Sequence, residues 1–427
     1  MSLPSFYKIV SYILFFLMLF SPFAFTEIKM VFISFLIISF LLYLLIYKEK
    51  IKISKSVLLW FSVFIFHGFF FSYIGFLNGA DVSNVAKFST IAVLWPVVFL
   101  LLFFYKTSVE YLLKLYKVIE VALICISIYV IYKVLSIFGF LPAFDIYAGK
   151  EGVDGLMIND GNLEMSIPAA TTLMFVVPSV LSLYLLTKEK RLIPVILLAF
   201  IAVVLTSRRA LLLSVIVTPL ICLAFSVFLL KKKNLKVLNK NIFLMYFIAM
   251  IFFSIIFIVL AQLNVFDFKV FYSMILEGFD FSGNNSADPG AMIRADQFTL
   301  LMKSWCEKPV FGWGYGSVSQ YITRSDETPF IYELSYVALL FQTGIVGFVI
   351  YMSLIFWIFY KFYKLRNRID VKMNKYNISI LVGLTTFLLA NATNPYLYAF
   401  DHMWTIFYPL LILNTLALEN NKLKLKD

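Results

Sequence analysis

Long apolar runs, each close to the length of a bilayer crossing and separated by polar connections, recur along the whole chain. The first, from Met1 to Phe25, carries a single Lys8. It resembles a signal peptide, but no small-residue cleavage site follows Pro22, so it reads as a retained span. Further runs near residues 30–47, 57–77, 88–105, 118–141, 168–186, 192–206, 210–230, 242–263, 332–360, 376–396 and 402–418 bring the expected total to about twelve, most near the roughly 20 residues a bilayer requires. The pattern predicts an all-α, polytopic helical membrane protein, with residues 1–427 forming a single membrane domain.

Two connections on the expected outer side are long. Residues 142–167 are acidic, with Asp145, Glu151, Asp154, Asp160 and Glu164 against one Lys150. Residues 264–331 form one large loop of about 68 residues, a size that tends to be functional. Within it, residues 291–306 alternate polar and apolar positions at helical spacing, which predicts an amphipathic helix along the outer membrane surface. No solenoid or propeller period and no low-complexity tract interrupts the pattern.

Composition removes the soluble alternatives. Apolar residues make up 62% of the chain and charged residues 14%, against about half and a quarter in soluble domains. The formal charge of +12 would suit nucleic acid if it lay on one soluble face, but the basic residues are scattered among connections and no nucleic-acid partner is expected. They gather on alternate connections instead: Lys48 to Lys55, Lys106 to Lys117, Lys188 to Arg191, Lys231 to Lys240, Lys361 to Lys375, and the tail from Lys422. Retention of Lys and Arg on the cytoplasmic side then puts both termini in the cytoplasm. Glu120 and Lys133 are the clear charges well inside a run. Cys125, Cys222 and Cys306 show no paired spacing, so no disulfide framework is expected.

Four groups of residues are candidates for chemistry. Arg208 and Arg209 stand between two apolar runs, against the charge bias; a charge at membrane depth costs from about 2.5 kcal/mol, so such a pair faces a cavity, a partner or an anion, or snorkels to headgroups. As an anion site it is a guanidinium clamp for phosphate. In the large loop, Arg294, Asp296, Gln297 and Trp305 precede Lys308-Pro309 and the series Phe311-Gly312-Trp313-Gly314-Tyr315-Gly316. That series supports neither a dinucleotide fingerprint nor a nucleotide phosphate loop, and it is equally readable as a turn packed with interfacial aromatics. Glu333, at the outer mouth of the tenth run, is either a general base or the structural partner of an arginine. Of the two histidines, His67 sits mid-span, where a helix-to-helix hydrogen bond is the expected role; His402, beside Asp401 at an outer turn, could join an external site. A zinc site is not expected, nor is any other metal.

In combination these residues resemble the O-antigen polymerase and O-antigen ligase superfamily. The resemblance rests on Thr206-Ser207-Arg208-Arg209-Ala210 between two spans, the Arg294 helix, the Lys308-Pro309-Val310-Phe311-Gly312-Trp313-Gly314 turn, and Glu333 to Gly347 ending in Gln342-Thr343-Gly344-Ile345-Val346-Gly347. It implies an integral glycosyltransferase of the bacterial inner membrane, acting on the periplasmic side upon oligosaccharides carried by undecaprenyl diphosphate. Arg208 and Arg294 are the positions that match the arginines holding the diphosphate. Arg209 is added to that set, with Glu333 as first and His402 as second candidate base, and with Trp305, Trp313 and Tyr315 as stacking faces for sugar. The implied partners are the lipid-linked oligosaccharide, membrane lipids and a chain-length regulator, with no cofactor. Ligase members have a histidine before an Asn where this chain has Tyr332-Glu333-Leu334-Ser335, which favours the polymerase branch. The alternatives are a ligase moving glycan to lipid A core, a flippase or transporter, and, third, a structural partner in the envelope. A flippase is expected to place charges deep within several spans and to show two similar halves.

Overall fold

The computed structural model describes residues 3–47, 53–104, 108–147, 155–159, 162–206, 208–230, 289–323, 328–397 and 399–424. They form an all-α bundle with one short hairpin. In chain order the helices are α1 (Leu3–Phe20), α2 (Thr26–Tyr47), α3 (Lys55–Leu77), α4 (Val82–Ser89), α5 (Trp95–Phe104), α6 (Val109–Ile137), α7 (Ala169–Thr187), α8 (Leu192–Leu205), α9 (Arg209–Leu229), α10 (Pro289–Glu307), α11 (Ser335–Leu365), α12 (Val371–Ala390) and α13 (Trp404–Lys424). Among the described residues seven helices are long and apolar enough to cross a membrane, and three shorter apolar ones lie at Ser5–Phe20, Leu192–Leu205 and Trp404–Glu419. Each expected span within the described residues has its helix, whereas the one near 242–263 lies outside them. The last span starts at Trp404, so His402 falls in a preceding 3₁₀ turn, Phe400–His402, and not in the span.

α7 is apolar around its whole circumference and is wrapped on all sides, with 89% of its span buried. Small and polar groups let α12 approach it closely. A Cβ at Gly383 would lie 2.8 Å from the Phe175 carbonyl, and the Thr386 hydroxyl donates to Met174 O at 3.0 Å. α4 and α5 are one span joined by a π-helical turn, Thr90–Leu94. Pro96 has no N–H to give to the Ala92 carbonyl four residues back, and the wider turn absorbs that defect. Both intraspan charges are compensated: Glu120 pairs with Arg191 at 2.6 Å and Lys133 with Asp145 at 2.9 Å.

The acidic connection at 142–167 departs from an all-helical picture, since Gly155–Asn159 and Asn162–Ser166 pair as an antiparallel hairpin. α11 departs from a continuous span. At Gly344 its backbone turns to φ 60°, ψ −173°, a conformation open to glycine alone. In an unbroken helix the Ile345 and Val346 amides would donate to the Phe341 and Gln342 carbonyls. Here those carbonyls accept from Trp313 N (3.1 Å) and Gly314 N (2.7 Å), while the two amides donate to Pro309 O (2.9 Å) and Val310 O (3.1 Å). The 309–316 turn thus enters the bundle as a substitute hydrogen-bond partner, the condition under which irregular backbone is tolerated at membrane depth. Tyr315 N continues the docking by donating to Phe71 O on α3 at 2.8 Å.

Backbone approach at this dock leaves no room for side chains. A Cβ on Gly314 (φ +90°) would lie 1.9 Å from Gly75 N, whereas one on Gly79 (φ +79°) would meet nothing within 4 Å. Gly314→Ala is therefore expected to cost about 2 kcal/mol or more, from overpacking added to backbone strain. Gly79→Ala should cost only about 1 kcal/mol, from the left-handed backbone. Thermal unfolding of the detergent-purified chain checks this; equal losses for the two variants would refute the dock.

Candidate functional site

One end of the bundle collects residues 21–25, 78–81, 206, 208, 289–323, 328–334, 391–397 and 399–403 through mutual contacts. Asn78 donates to Trp313 O at 2.9 Å and accepts from Lys308 Nζ. The Phe23 amide donates to Asp401 Oδ2 at 2.7 Å. The Ser335 hydroxyl donates to Asn394 O at 2.6 Å. We call this the upper end; residues 53–54, 188–191 and 365–370 lie at the lower.

Helix α10, expected over 291–306 and found at Pro289–Glu307, carries Arg294 one turn from its start. Its inner face holds Gln297 and Leu301, both fully buried, and Ser304. Ser304 bonds the Ser319 hydroxyl at 2.7 Å and its carbonyl accepts from Trp313 Nε1 at 2.8 Å. The helix is thereby held on the docked turn. Gln297 Oε1 accepts from the Glu333 amide at 2.9 Å, and Arg294 Nε donates to Glu333 Oε2 at 3.2 Å, with the two side chains 27% and 21% exposed. The Gln297 Nε2 is buried with no hydrogen-bond partner among the described residues.

The second arginine stands on the opposite wall. Arg208 is the N-cap of α9, in extended backbone, and its guanidinium donates to the Tyr396 hydroxyl at 2.9 Å. Tyr396 stacks on His402 at a centroid distance of 5.4 Å, and Phe387 stacks on the same ring at 5.9 Å. Thr171 Oγ1 donates to Pro168 O at 2.6 Å and lies 2.6 Å from His402 Nε2. A hydroxyl has one proton, so Thr171 must accept the second bond and His402 carries its hydrogen on Nε2. The bare Nδ1 is buried with no partner among the described residues. Burial, helped by the Lys29 and Arg208 charges, pushes the His402 imidazole down to about 3. Next to it Lys29 and Asp401, 1% and 0% exposed, form an ion pair at 2.9 Å that ties the 21–29 segment to the 400–402 turn.

These two walls meet where Ser335, two residues beyond Glu333, bonds Asn394, two residues before Tyr396. Arg208, Arg294, Glu333 and His402 therefore stand at one end of the bundle, as basic and acidic groups spanning a single seam. The segment that carries Arg208, Arg294 and Glu333, residues 194–352, matches the family model described as O-antigen ligase. The match spans 159 of the 427 residues and leaves the rest of the chain outside it. Members of that family are membrane glycosyltransferase-like enzymes of polysaccharide assembly. Comparison with the curated proteins yields no match.

As candidate stacking faces, the aromatics differ in what they offer. Trp305 and Trp313 are half-buried, the latter with Lys308 Nζ 4.1 Å from its ring centroid. Tyr315 presents no open face. It is 2% exposed, stacks on Phe88 at 4.1 Å and faces His67 Nδ1 at 3.3 Å, so packing replaces the sugar contact expected of it. His67 makes the helix-to-helix bond expected of it, to Gly347 O at 3.1 Å. Arg209 is half-buried in the first turn of α9. Among the described residues no group of three or more His, Cys, Asp or Glu is arranged to hold a metal ion. Tyr396 and Thr171 escaped the sequence reading. Asn394-Pro395-Tyr396 is a polar step that lay hidden at the end of an apolar run, and Pro there was its visible signal.

Two measurements test these environments. Between pH 6.5 and 3 the unfolded chain holds a proton on residue 402 that the folded chain does not, so stability falls as pH drops through that window. His402→Gln should lose about 2 kcal/mol less than the parent between pH 7 and pH 5; parallel stability profiles would contradict the buried neutral ring. Lys29→Met strands a buried carboxylate and should cost about 3–5 kcal/mol, with much of the loss recovered in Lys29→Met/Asp401→Leu. Unfolding of both variants in detergent provides the comparison, and a single variant as stable as the parent would dismiss the pair.

Proposed function

We propose that this chain is an O-antigen or related surface-polysaccharide polymerase, joining undecaprenyl-diphosphate-linked repeat units at the periplasmic face of the bacterial inner membrane. The observation that carries the reading is the placement of Arg208 and Arg294 at one end of the bundle, with the Glu333 carboxylate 3.2 Å from Arg294. On this reading the upper end is periplasmic and both termini are cytoplasmic, with membrane lipids and a chain-length regulator as partners.

In the reaction an acceptor sugar hydroxyl attacks the anomeric carbon of the donor glycan, and the bond from that carbon to the diphosphate oxygen breaks. The diphosphate leaves with the electron pair, and fixed guanidinium groups in a water-poor site stabilise the charge it gains. The acceptor proton passes to Glu333. In the resting structure Arg294 occupies Glu333; an arriving diphosphate competes for that guanidinium and leaves the carboxylate able to accept a proton. Glu333 serves better than His402, whose imidazole is held neutral, fully enclosed and far below the working pH range. Trp305 and Trp313 supply sugar faces. The family match does not separate a polymerase from a ligase that moves finished glycan to lipid A core; Tyr332-Glu333-Leu334-Ser335, in place of a histidine before an Asn, favours the polymerase.

Deletion in the host followed by complementation and glycan ladder analysis tests the proposal. Arg208→Ala, Arg294→Ala and Glu333→Gln are each expected to lower chain extension by about 10²-fold or more, with Lys a poor substitute for either arginine. Single repeats left on the core identify a polymerase, and loss of every attached repeat identifies the ligase. Normal ladders in all three variants would eliminate this site.

A further inference from the structure

At the lower end, remote from the arginines above, a cavity of about 140 Å³ opens between the start of α3, the last turns of α11 and the last turns of α13. Its floor is apolar, built from Val57, Trp357, Leu365, Leu413 and Ala417. Its rim carries Lys361, Lys364 and Arg368. Lys361 is half-buried with its ammonium 5.1 Å from the Trp357 ring centroid, and Lys364 and Arg368 are exposed. No carboxylate lines this cavity, and among the described residues none of the three cations is paired with one. The adjoining cavity differs: it shares Arg368 and adds Lys372, Asp370 and Glu419, and so is balanced in charge.

We infer that this groove binds one anionic glycerophospholipid, with the phosphodiester held by Lys361, Lys364 and Arg368 and the start of an acyl chain laid on the apolar floor. Two features select that occupant. Three cations on a cavity that no described carboxylate lines call for an anion, and the two ammonium groups and the Arg368 guanidinium give it several donors. The floor leads onto the outer face of α11, where Phe356 and Tyr360 are 68% and 55% exposed, so a chain leaving the groove continues along apolar surface. Free phosphate would use the rim and leave the floor bare; a zwitterionic lipid would bring its own cation against the three. The site is independent of the polymerase reading.

The test is native mass spectrometry of the full chain released from detergent with defined lipid added. Phosphatidylglycerol is compared with phosphatidylcholine, and with glycerol 3-phosphate as a headgroup lacking chains. Each cation contributes on the order of fivefold near a surface. The parent should thus retain phosphatidylglycerol on the order of a hundredfold better than phosphatidylcholine, and glycerol 3-phosphate should not displace it at equal concentration. Lys361→Gln/Lys364→Gln/Arg368→Gln should abolish the preference. Leu413→Trp, which fills the floor without touching charge, should reduce retention at least severalfold and covers the event that the triple variant fails to fold. Lys117→Gln/Lys190→Gln, which removes cations from the same end outside the groove, should leave the preference intact. Equal retention of both lipids by the parent, displacement by glycerol 3-phosphate, or loss in the Lys117→Gln/Lys190→Gln variant equal to that in the groove variants would overturn the inference.

Discussion

A helix that breaks inside a bundle must find new partners for the hydrogen bonds it gives up, and in this protein that requirement organises the upper end. Gly344 breaks α11, and two carbonyls and two amides that would have bonded each other across one helical turn bond the 309–316 segment instead. Because Phe341, Gln342 and Gly344 are buried, the segment and the break depend on each other for those hydrogen bonds. The segment also bonds Ser304 through Trp313, which locates α10, and α10 delivers Arg294 and Gln297 to Glu333. The position of one arginine is therefore set by a defect in a neighbouring helix and not by the loop that bears it.

The hydrophobic pattern made the helical architecture legible, because in a bilayer every apolar run of sufficient length has to satisfy its own backbone and only a helix does so. The amphipathic helix around Arg294 was legible for the same reason, since its apolar positions recur with helical period. The break at Gly344 was not. An isolated glycine inside an apolar run is tolerated in a membrane helix, and only the approach of Pro309 and Val310 from a distant part of the chain makes it necessary. Tyr315 misled for a related reason: Gly-aromatic alternation fits an exposed binding turn and a buried dock equally, and burial decides between them. The hairpin at 155–166 lay in a stretch read for its acidity, where charge concealed the alternation of strand positions.

The candidate site was legible as a set of residue types, and the structure sorts those types by environment. Arg208 and His402 belong to a wall already dense in tertiary contacts: a hydroxyl from Tyr396, an oxygen from Thr171, two stacked rings and a buried ion pair alongside. Breaking one partner there costs more than the bond itself, because the others are left buried and uncompensated. The wall is thereby suited to holding a guanidinium in one place and poorly suited to proton transfer. The Arg294 and Glu333 wall is the reverse. Both side chains keep contact with solvent, and Arg294 meets Glu333 through Nε at 3.2 Å, the kind of partly exposed pair that an incoming anion can displace.

That contrast gives the site an order of events. On the proposed reading, a rigid cation and a displaceable one confronting the same leaving group do different things: the first would set where the diphosphate sits, and the second would report that it has arrived. While Arg294 is bound to Glu333, a carboxylate oxygen is engaged. On the proposed reading, once the guanidinium turns to phosphate that oxygen is open to the acceptor hydroxyl. Coupling the clamp to the base in this way ties activation of the acceptor hydroxyl to the presence of the donor, so that water entering an empty site meets a base that is still occupied. Gln297 fits the same logic from beneath, since its carbonyl fixes the Glu333 backbone at 2.9 Å while the carboxylate changes partners.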